Sequence, residues 1–311
     1  MDANVLPTFG RDNAKIQIQS VMFNNTINDI ACCIRALARA AELAIASQSV
    51  NRLVLRLGDS SPFPLLDPDN LARMRETARG LIRVEYDFFG SNLGSAAGHN
   101  RLASWAEADI DFLWIQNPDV VVAPRTFELV LLPFRHAGVG QVEAKQLPIE
   151  HPKQYNPTTG ETAWATTACA MIPMPVFKAL EGFDSNSFFL YCDDVDFSFR
   201  VREAGFKVLY QPSAACFHDK RLTNDASWES GWSEQYYSAE AGLMMAHKWS
   251  RPDIVGRTLD YFLASGKPVL EKAAQTFLHR QTAGTLPEPR DPEAKVAEFH
   301  GHFYAEHRYA L

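Results

Sequence analysis

Asp193, Asp194 and Asp196 stand together behind an aromatic run from Phe188 to Tyr191 and ahead of a helical pattern. In that pattern Val195, Phe199 and Arg202 lie about a turn apart, Asp196 can pair with Arg200 at i,i+4, and Gly205 occupies a helix C-cap position. The acids therefore fall in the first turn, where unpaired backbone N–H groups and the positive end of the helix dipole favour ionised carboxylates. A carboxylate held this way serves as a base or holds a cation. Phe206 to Tyr210 then reads as a strand stopped by Pro212, and His218 follows just beyond, so a returning strand can carry an imidazole toward the acids. Acidic helix caps without chemistry are common, and the weight of the reading rests on what else converges there.

Those residues must be positioned by a fold, and the pattern upstream supplies one. Strands are expected at Ile16 to Phe23, Leu53 to Leu57, Ile82 to Tyr86 and Phe112 to Ile115, with helices at Thr26 to Ser47, at Leu71 to Gly80 and, after the small-residue stretch Asn92 to Asn100, to about Ala108. Such alternation with short connections predicts an α/β fold, an open and mainly parallel sheet flanked by helices, which binds ligands at the carboxyl ends of its strands. Asp59, Asn92 and Asp119 fall at such ends. Ala165 to Ile172 is a further expected strand and Pro175 to Leu180 a short helix. The polar loop from Pro148 to Trp164 reads as a candidate lid, with Tyr155 and Trp164 as stacking candidates. Beyond Leu222 the chain becomes helical, over Trp228 to Trp249 and Ile254 to Leu278, which sets an expected division into residues 1–222 and a C-terminal helical extension, 223–311.

Composition bounds the function. The chain has 311 residues, 46% hydrophobic and 22% charged, as expected of a globular protein. Its net charge of -7 argues against wholesale nucleic-acid binding. No apolar run approaches the roughly 20 residues of a membrane-spanning helix, and the first residues lack a signal peptide's pattern, so a cytoplasmic location is expected. Five cysteines without CxxC spacing predict free thiols.

Asp59, Asp119, the Asp193/Asp194 pair and His218 can meet in one cleft. Hard oxygen ligands with one imidazole suit Mg²⁺ or Mn²⁺, a cation able to stabilise a departing diphosphate. A carboxylate at Asp59 can accept the imide N–H of a pyrimidine. Gly94 to Asn100 permits close backbone approach and leads into a helix start, a natural place for phosphate.

The run Phe189, Tyr191, Asp193, Asp194, Asp196 and Arg200, followed by Ala204, Gly205, Tyr210, Pro212 and His218, resembles a block of the inverting family 2 glycosyltransferases with the GT-A fold. It looks most like their bacterial rhamnosyl- and galactofuranosyltransferase branch. Asn92, Gly94, Gly98 and Asn100, then Asn117 and Asp119, then Gly182 and Asp184, match in order and approximate spacing, and the resemblance covers roughly residues 16 to 250. It implies that Asp119 is the acid of a DxD-like site holding a metal against the donor diphosphate, with His218 as a further ligand. It also implies that Asp194 is the general base and that Asp59 belongs to the nucleotide-base pocket, with Asn92, Gly94, Asn100 and Asn117 as donor-site residues. Three departures stand out: Asn117 replaces the first acid of the DxD-like site, Asp193 replaces a Glu, which leaves it a supporting role, and Asp59 sits in Gly58-Asp-Ser-Ser61 rather than the commoner Asp-Asn-x-Ser.

The expected activity is inverting transfer of a sugar from a nucleotide diphosphate donor, of the dTDP-rhamnose or UDP-hexose and UDP-galactofuranose type, to a hydroxyl of a surface glycan or lipid-linked glycan. Two rivals stand beside it. A nucleotidyltransferase would usually need a basic, glycine-rich phosphate loop near the N-terminus, where Phe23 to Thr26 offers none. A catalytically inactive sugar-nucleotide or glycan-binding protein is the other. Peripheral membrane attachment and a homo-oligomer stay open, since no basic amphipathic helix is strong enough to assign the first.

Overall fold

The computed structural model describes residues 7–9, 12–150, 153–218, 231–301 and 303–305. The chain runs β1 (Ala14–Met22), α1 (Ile27–Ala46), β2 (Val50–Asp59), α2 (Pro68–Thr77), β3 (Arg83–Phe88), α3 (Gly94–Ser104), β4 (Phe112–Gln116), β5 (Val120–Val122), α4 (Thr126–Leu131), β6 (Val139–Leu147), β7 (Cys169–Pro173), α5 (Met174–Ala179), α6 (Asp193–Glu203) and β8 (Lys207–His218). Three helices follow: α7 (Trp232–Lys248), α8 (Pro252–Ala264) and α9 (Pro268–Thr282). One sheet has the order β3-β2-β1-β4-β7-β6-β8-β5. The expected strand and helix alternation builds its first half, in which β1 pairs in parallel with both β2 and β4.

The second half departs from the expected parallel pattern. β7 runs antiparallel to β4 and β6, and β5 antiparallel to β8, so the sheet is mixed. The chain turns at the carboxyl end of β4, beside the point where the order reverses about β1, and Asn117 and Asp119 sit in that turn.

Pro212 does not end its strand. β8 pairs with β6 through Ala144↔Gln211, then resumes at Lys145↔Ala215, leaving Pro212 in a bulge where its missing N–H costs no ladder bond. The strand therefore continues to His218, which pairs with Val120. The stretch expected as a lid is fastened at its far end: Tyr210 N–H donates to the Gly160 carbonyl (2.8 Å) and Thr162 N–H to the Val208 carbonyl (3.0 Å). Tyr155 packs on Tyr210 with ring centroids 4.8 Å apart. Trp164 is buried. The segment expected as one helix over 254–278 is two, because Gly266 takes a left-handed φ of +64° and Pro268 starts a new helix.

The C-terminal helices share a core with the acidic helix. Val195 and Phe199 of α6 pack with Met244, Met245, Phe262 and Phe277, and the rings of Phe199 and Trp249 meet edge to face at 5.2 Å. Asp196 ties the layers together, accepting from Arg200 Nε (2.8 Å), Trp249 Nε1 (3.1 Å) and Lys248 Nζ (2.7 Å). The expected boundary near residue 222 lies outside the described residues. All five cysteines are free. Among the described residues no helix is long and apolar enough to cross a membrane.

Candidate active site

α6 begins at an abrupt turn. Tyr191 and Cys192 take φ of +65° and +59°, left-handed values that non-glycine residues adopt only when their surroundings enforce them. The turn delivers Asp193 and Asp194 to the first turn of the helix. Asp194 is half-buried; one oxygen accepts the Val195 N–H (2.8 Å) and the other lies 3.4 Å from the Thr167 N–H. These backbone donors favour its ionised form.

Asp193 is 3% exposed, and its Oδ2 has no hydrogen-bond partner. Burial and then the neighbouring charge of Asp194 push its pKa up to about 7, against a partly offsetting hydrogen bond with Ser95. Asp193 thus keeps its proton well above the ordinary carboxylate range. Because the folded value exceeds the ordinary 3.8, the unfolded chain releases this proton first, and stability is lost as pH rises from about 4 through about 7. Asp193→Asn removes that loss, on the order of 2 to 4 kcal/mol. The difference in melting temperature between the variant and the parent protein is expected to grow by several degrees from pH 4 to pH 8; a difference constant with pH would show that Asp193 does not titrate this way.

Asn117, Asp193, Asp194 and His218 line one cavity of about 220 Å³, together with Ser95, Thr166, Thr167 and Tyr191. Trp164, Glu234 of α7 and Tyr304 complete its wall, with the Trp164 and Tyr304 rings edge to face at 5.0 Å. His218 reaches the cavity at the end of β8, its Nε2 3.6 Å from Asp119 Oδ1 and 3.4 Å from Asn117 Nδ2. On the other side its Nδ1 meets Gln146 Oε1 at 2.8 Å.

A carboxylate, an imidazole and an amide on one spot form a donor set that fits a divalent cation of the Mg²⁺ or Mn²⁺ kind. No group of three or more His, Cys, Asp or Glu side chains that could hold a metal occurs among the described residues. Two strong protein ligands with substrate oxygens and water filling the rest is the usual arrangement where such a cation bridges phosphates. Asp119, His218 and Asn117 would hold it.

The remaining expected donor-site residues serve the fold. Asp59 is 0% exposed, and its carboxylate accepts from the Ser61 and Leu65 N–H groups (2.9 and 2.8 Å) and from Tyr86 OH (2.6 Å). It braces the turn after β2 instead of facing a base. Asn92 Oδ1 accepts the Gly94 N–H (3.0 Å) as a local turn. The small-residue stretch is not a loop before a helix; from Gly94 it is the helix, and Asn100 lies inside it, clamping Phe183 through both backbone groups (2.7 and 2.9 Å).

Gly94 owes its smallness to packing. It takes φ +68°, and a Cβ there would stand 2.3 Å from the Phe189 carbonyl oxygen. Gly94→Ala is therefore expected to cost about 2 to 4 kcal/mol, read as a lowered midpoint in denaturant unfolding. It should also displace Ser95, whose N–H donates to that same carbonyl (2.9 Å). An unchanged midpoint would mean the 189–190 segment yields freely.

Sequence reading missed the support behind His218. Gln146 and Glu143 lie on β6, where an alternation of buried polar and apolar residues was the available signal. Glu234 and Tyr304 lie far along the chain, and nothing local marks them.

No family model matches the chain. A stretch of 68 residues is 31% identical to N-acetylglucosaminyl-diphospho-decaprenol L-rhamnosyltransferase of Mycobacterium tuberculosis, in both the CDC 1551/Oshkosh and the H37Rv strain. The match spans 22% of this chain and 22% of the length of these relatives. Among solved structures, GalNAc-T7 with UDP, GalNAc and Mn²⁺ superposes with a TM-score of 0.58 at 12% identity, covering 93% of this chain and 60% of that one. The mannosyltransferase PcManGT from Pyrobaculum calidifontis in complex with GDP-Man and Mn²⁺ gives a TM-score of 0.50 at 16% identity, covering 92% and 84%. A mixed open sheet flanked by helices, capped by C-terminal helices and sharing its architecture with these enzymes, gives this chain the GT-A glycosyltransferase fold.

Proposed function

We propose that the protein is an inverting glycosyltransferase that moves a sugar from a nucleotide diphosphate donor to a hydroxyl of a glycan or lipid-linked glycan. The observation that carries this reading is the sharing of one cavity by Asp194 and His218, with Asp119 against the imidazole. A candidate base and the imidazole of a candidate cation-holding pair thus line one small space. Asp194 takes the proton of the acceptor hydroxyl as its oxygen bonds to the anomeric carbon. The carbon–oxygen bond to the diphosphate breaks from the opposite side, and the diphosphate leaves with the electron pair. Bound by Asp119 and His218, a divalent cation supplies positive charge for that leaving group. Asp193, while it keeps its proton, adds no second negative charge beside Asp194.

The rhamnosyltransferase likeness over 68 residues favours a deoxyhexose donor and a lipid-linked acceptor, which in turn favours work in the cytoplasm at a membrane surface. At about 220 Å³ the cavity lies below the roughly 300–1,000 Å³ of common ligand pockets, which suits it to the reacting sugar rather than to a whole donor. The C-terminal region, through Glu234 of α7 and Tyr304 beyond the last helix, reads as an extension that closes this site. A thermal-shift screen of nucleotide sugars with and without Mn²⁺ tests the proposal. One or a few donors should raise the melting temperature, more so with the cation; no shift with any nucleotide diphosphate would refute it.

A further inference from the structure

Behind the cavity lies a buried polar chain that ends on His218. Glu143 is 0% exposed and ion-paired with Lys153, whose Nζ also sits 4.3 Å over the Trp164 ring. As a carboxylate it only accepts. Its Oε2 takes the Thr166 N–H (3.0 Å), and its Oε1 takes the Thr166 hydroxyl (3.0 Å) and lies 3.4 Å from Gln146 Nε2. Having given its one O–H to Glu143, Thr166 Oγ1 accepts from Gln146 Nε2 (2.8 Å). Both neighbours at that end of the Gln146 amide are acceptors, so the NH₂ must lie there and Oε1 must face the imidazole. A carbonyl oxygen cannot donate, so Nδ1 of His218, 2.8 Å away, carries the proton. In the neutral imidazole Nε2 is then left with its lone pair; the Asn117 amide nitrogen stands 3.4 Å from it, and the Asp119 carboxylate oxygen, at 3.6 Å, lies beyond hydrogen-bond distance.

We infer that Gln146, oriented by Glu143 and Thr166, is a positioning residue that fixes His218 in the Nδ1–H tautomer and presents the Nε2 lone pair beside Asp119. Its value for metal binding rests on the proposed function, whereas the tautomer does not. Outer partners of this kind fix the ring and the basicity of a metal-binding histidine. Lys153 anchors the chain to the Trp164 wall, so the geometry that aims the imidazole is continuous with the wall of the cavity.

Long-range ¹H–¹⁵N correlation spectra of the full chain labelled at histidine nitrogen, recorded at pH 8 without metal, test this. His218→Gln identifies the relevant signal among nine histidines. The parent protein is expected to show a protonated Nδ1 and a bare Nε2 at His218. Gln146→Met, which keeps the volume and removes the acceptor, should move His218 toward the Nε2–H form that free histidine favours. It should also weaken Mn²⁺ binding in the presence of UDP about 10- to 100-fold, read by electron paramagnetic resonance. An Nε2–H signal in the parent protein overturns the inference without any variant, as does a folded Gln146→Met protein with an unchanged tautomer. An Nδ1–H signal in a protein that binds no Mn²⁺ would support the positioning role and refute the metal reading.

Discussion

Asp194→Asn is expected to lower sugar transfer about 10²- to 10⁴-fold and to leave nucleotide diphosphate binding as it is. The carboxylate is half-buried at the first turn of α6 and accepts the N–H of Val195. An amide of the same shape keeps the packing but cannot take a proton from a hydroxyl. It also removes the charge that helps Asp193 retain its proton, so Asp193 becomes easier to ionise in this variant. Asp193 does not thereby become a substitute base, because it lies in the buried position, next to Ser95. Initial-rate assays beside calorimetric titration with the nucleoside diphosphate separate the two effects. Near-normal turnover would remove Asp194 from the mechanism; lost nucleotide binding would make it a ligand instead of a base.

Asp119→Ala and His218→Ala should each weaken Mn²⁺-supported nucleotide diphosphate binding by tenfold or more, at least about 1.4 kcal/mol. Each removes one of the two strong ligands proposed for a site where, among the described residues, Asn117 stands beside them. In the presence of a chelator the parent protein and both variants should bind the nucleotide alike. That equality separates loss of a cation from a general collapse of the site. His218→Ala also leaves Gln146 Oε1 buried without its partner, so some loss of thermal stability should accompany the loss of binding, whereas the more exposed Asp119 should change stability little. If metal has no effect on binding to the parent protein, the site works without a cation.

How far the sequence could be read depended on how local each signal was. The acids of α6 were legible because helix period, C-cap glycine and i,i+4 pairing all lie within one short segment. His218 was legible only as the end of a strand thought to stop at Pro212; the bulge that carries β8 past the proline is set by its pairing with β6, not by its own residues. Asp59, Asn92, Gly94 and Asn100 stand where polar and small residues at strand ends look the same whether they face a ligand or their own chain. Here they face the chain, through Tyr86, the Gly94 N–H, the Phe189 carbonyl and the Phe183 backbone. The parallel half of the sheet followed from alternation, whereas the antiparallel turn of β7 did not, since a strand's direction depends on the crossover before it. Glu143 and Gln146 read as ordinary strand residues until β6 is seen beside β8.

A crystal structure of the protein with a nucleoside diphosphate and Mn²⁺ tests the central claim most directly. The anomalous signal of manganese should fall between Asp119 and His218 Nε2, with the diphosphate on the cation and the Asp194 carboxylate across the cavity from it. A nucleotide seated elsewhere, with Asp119 and His218 touching neither cation nor phosphate, would contradict the assignment of this cavity as the site of sugar transfer.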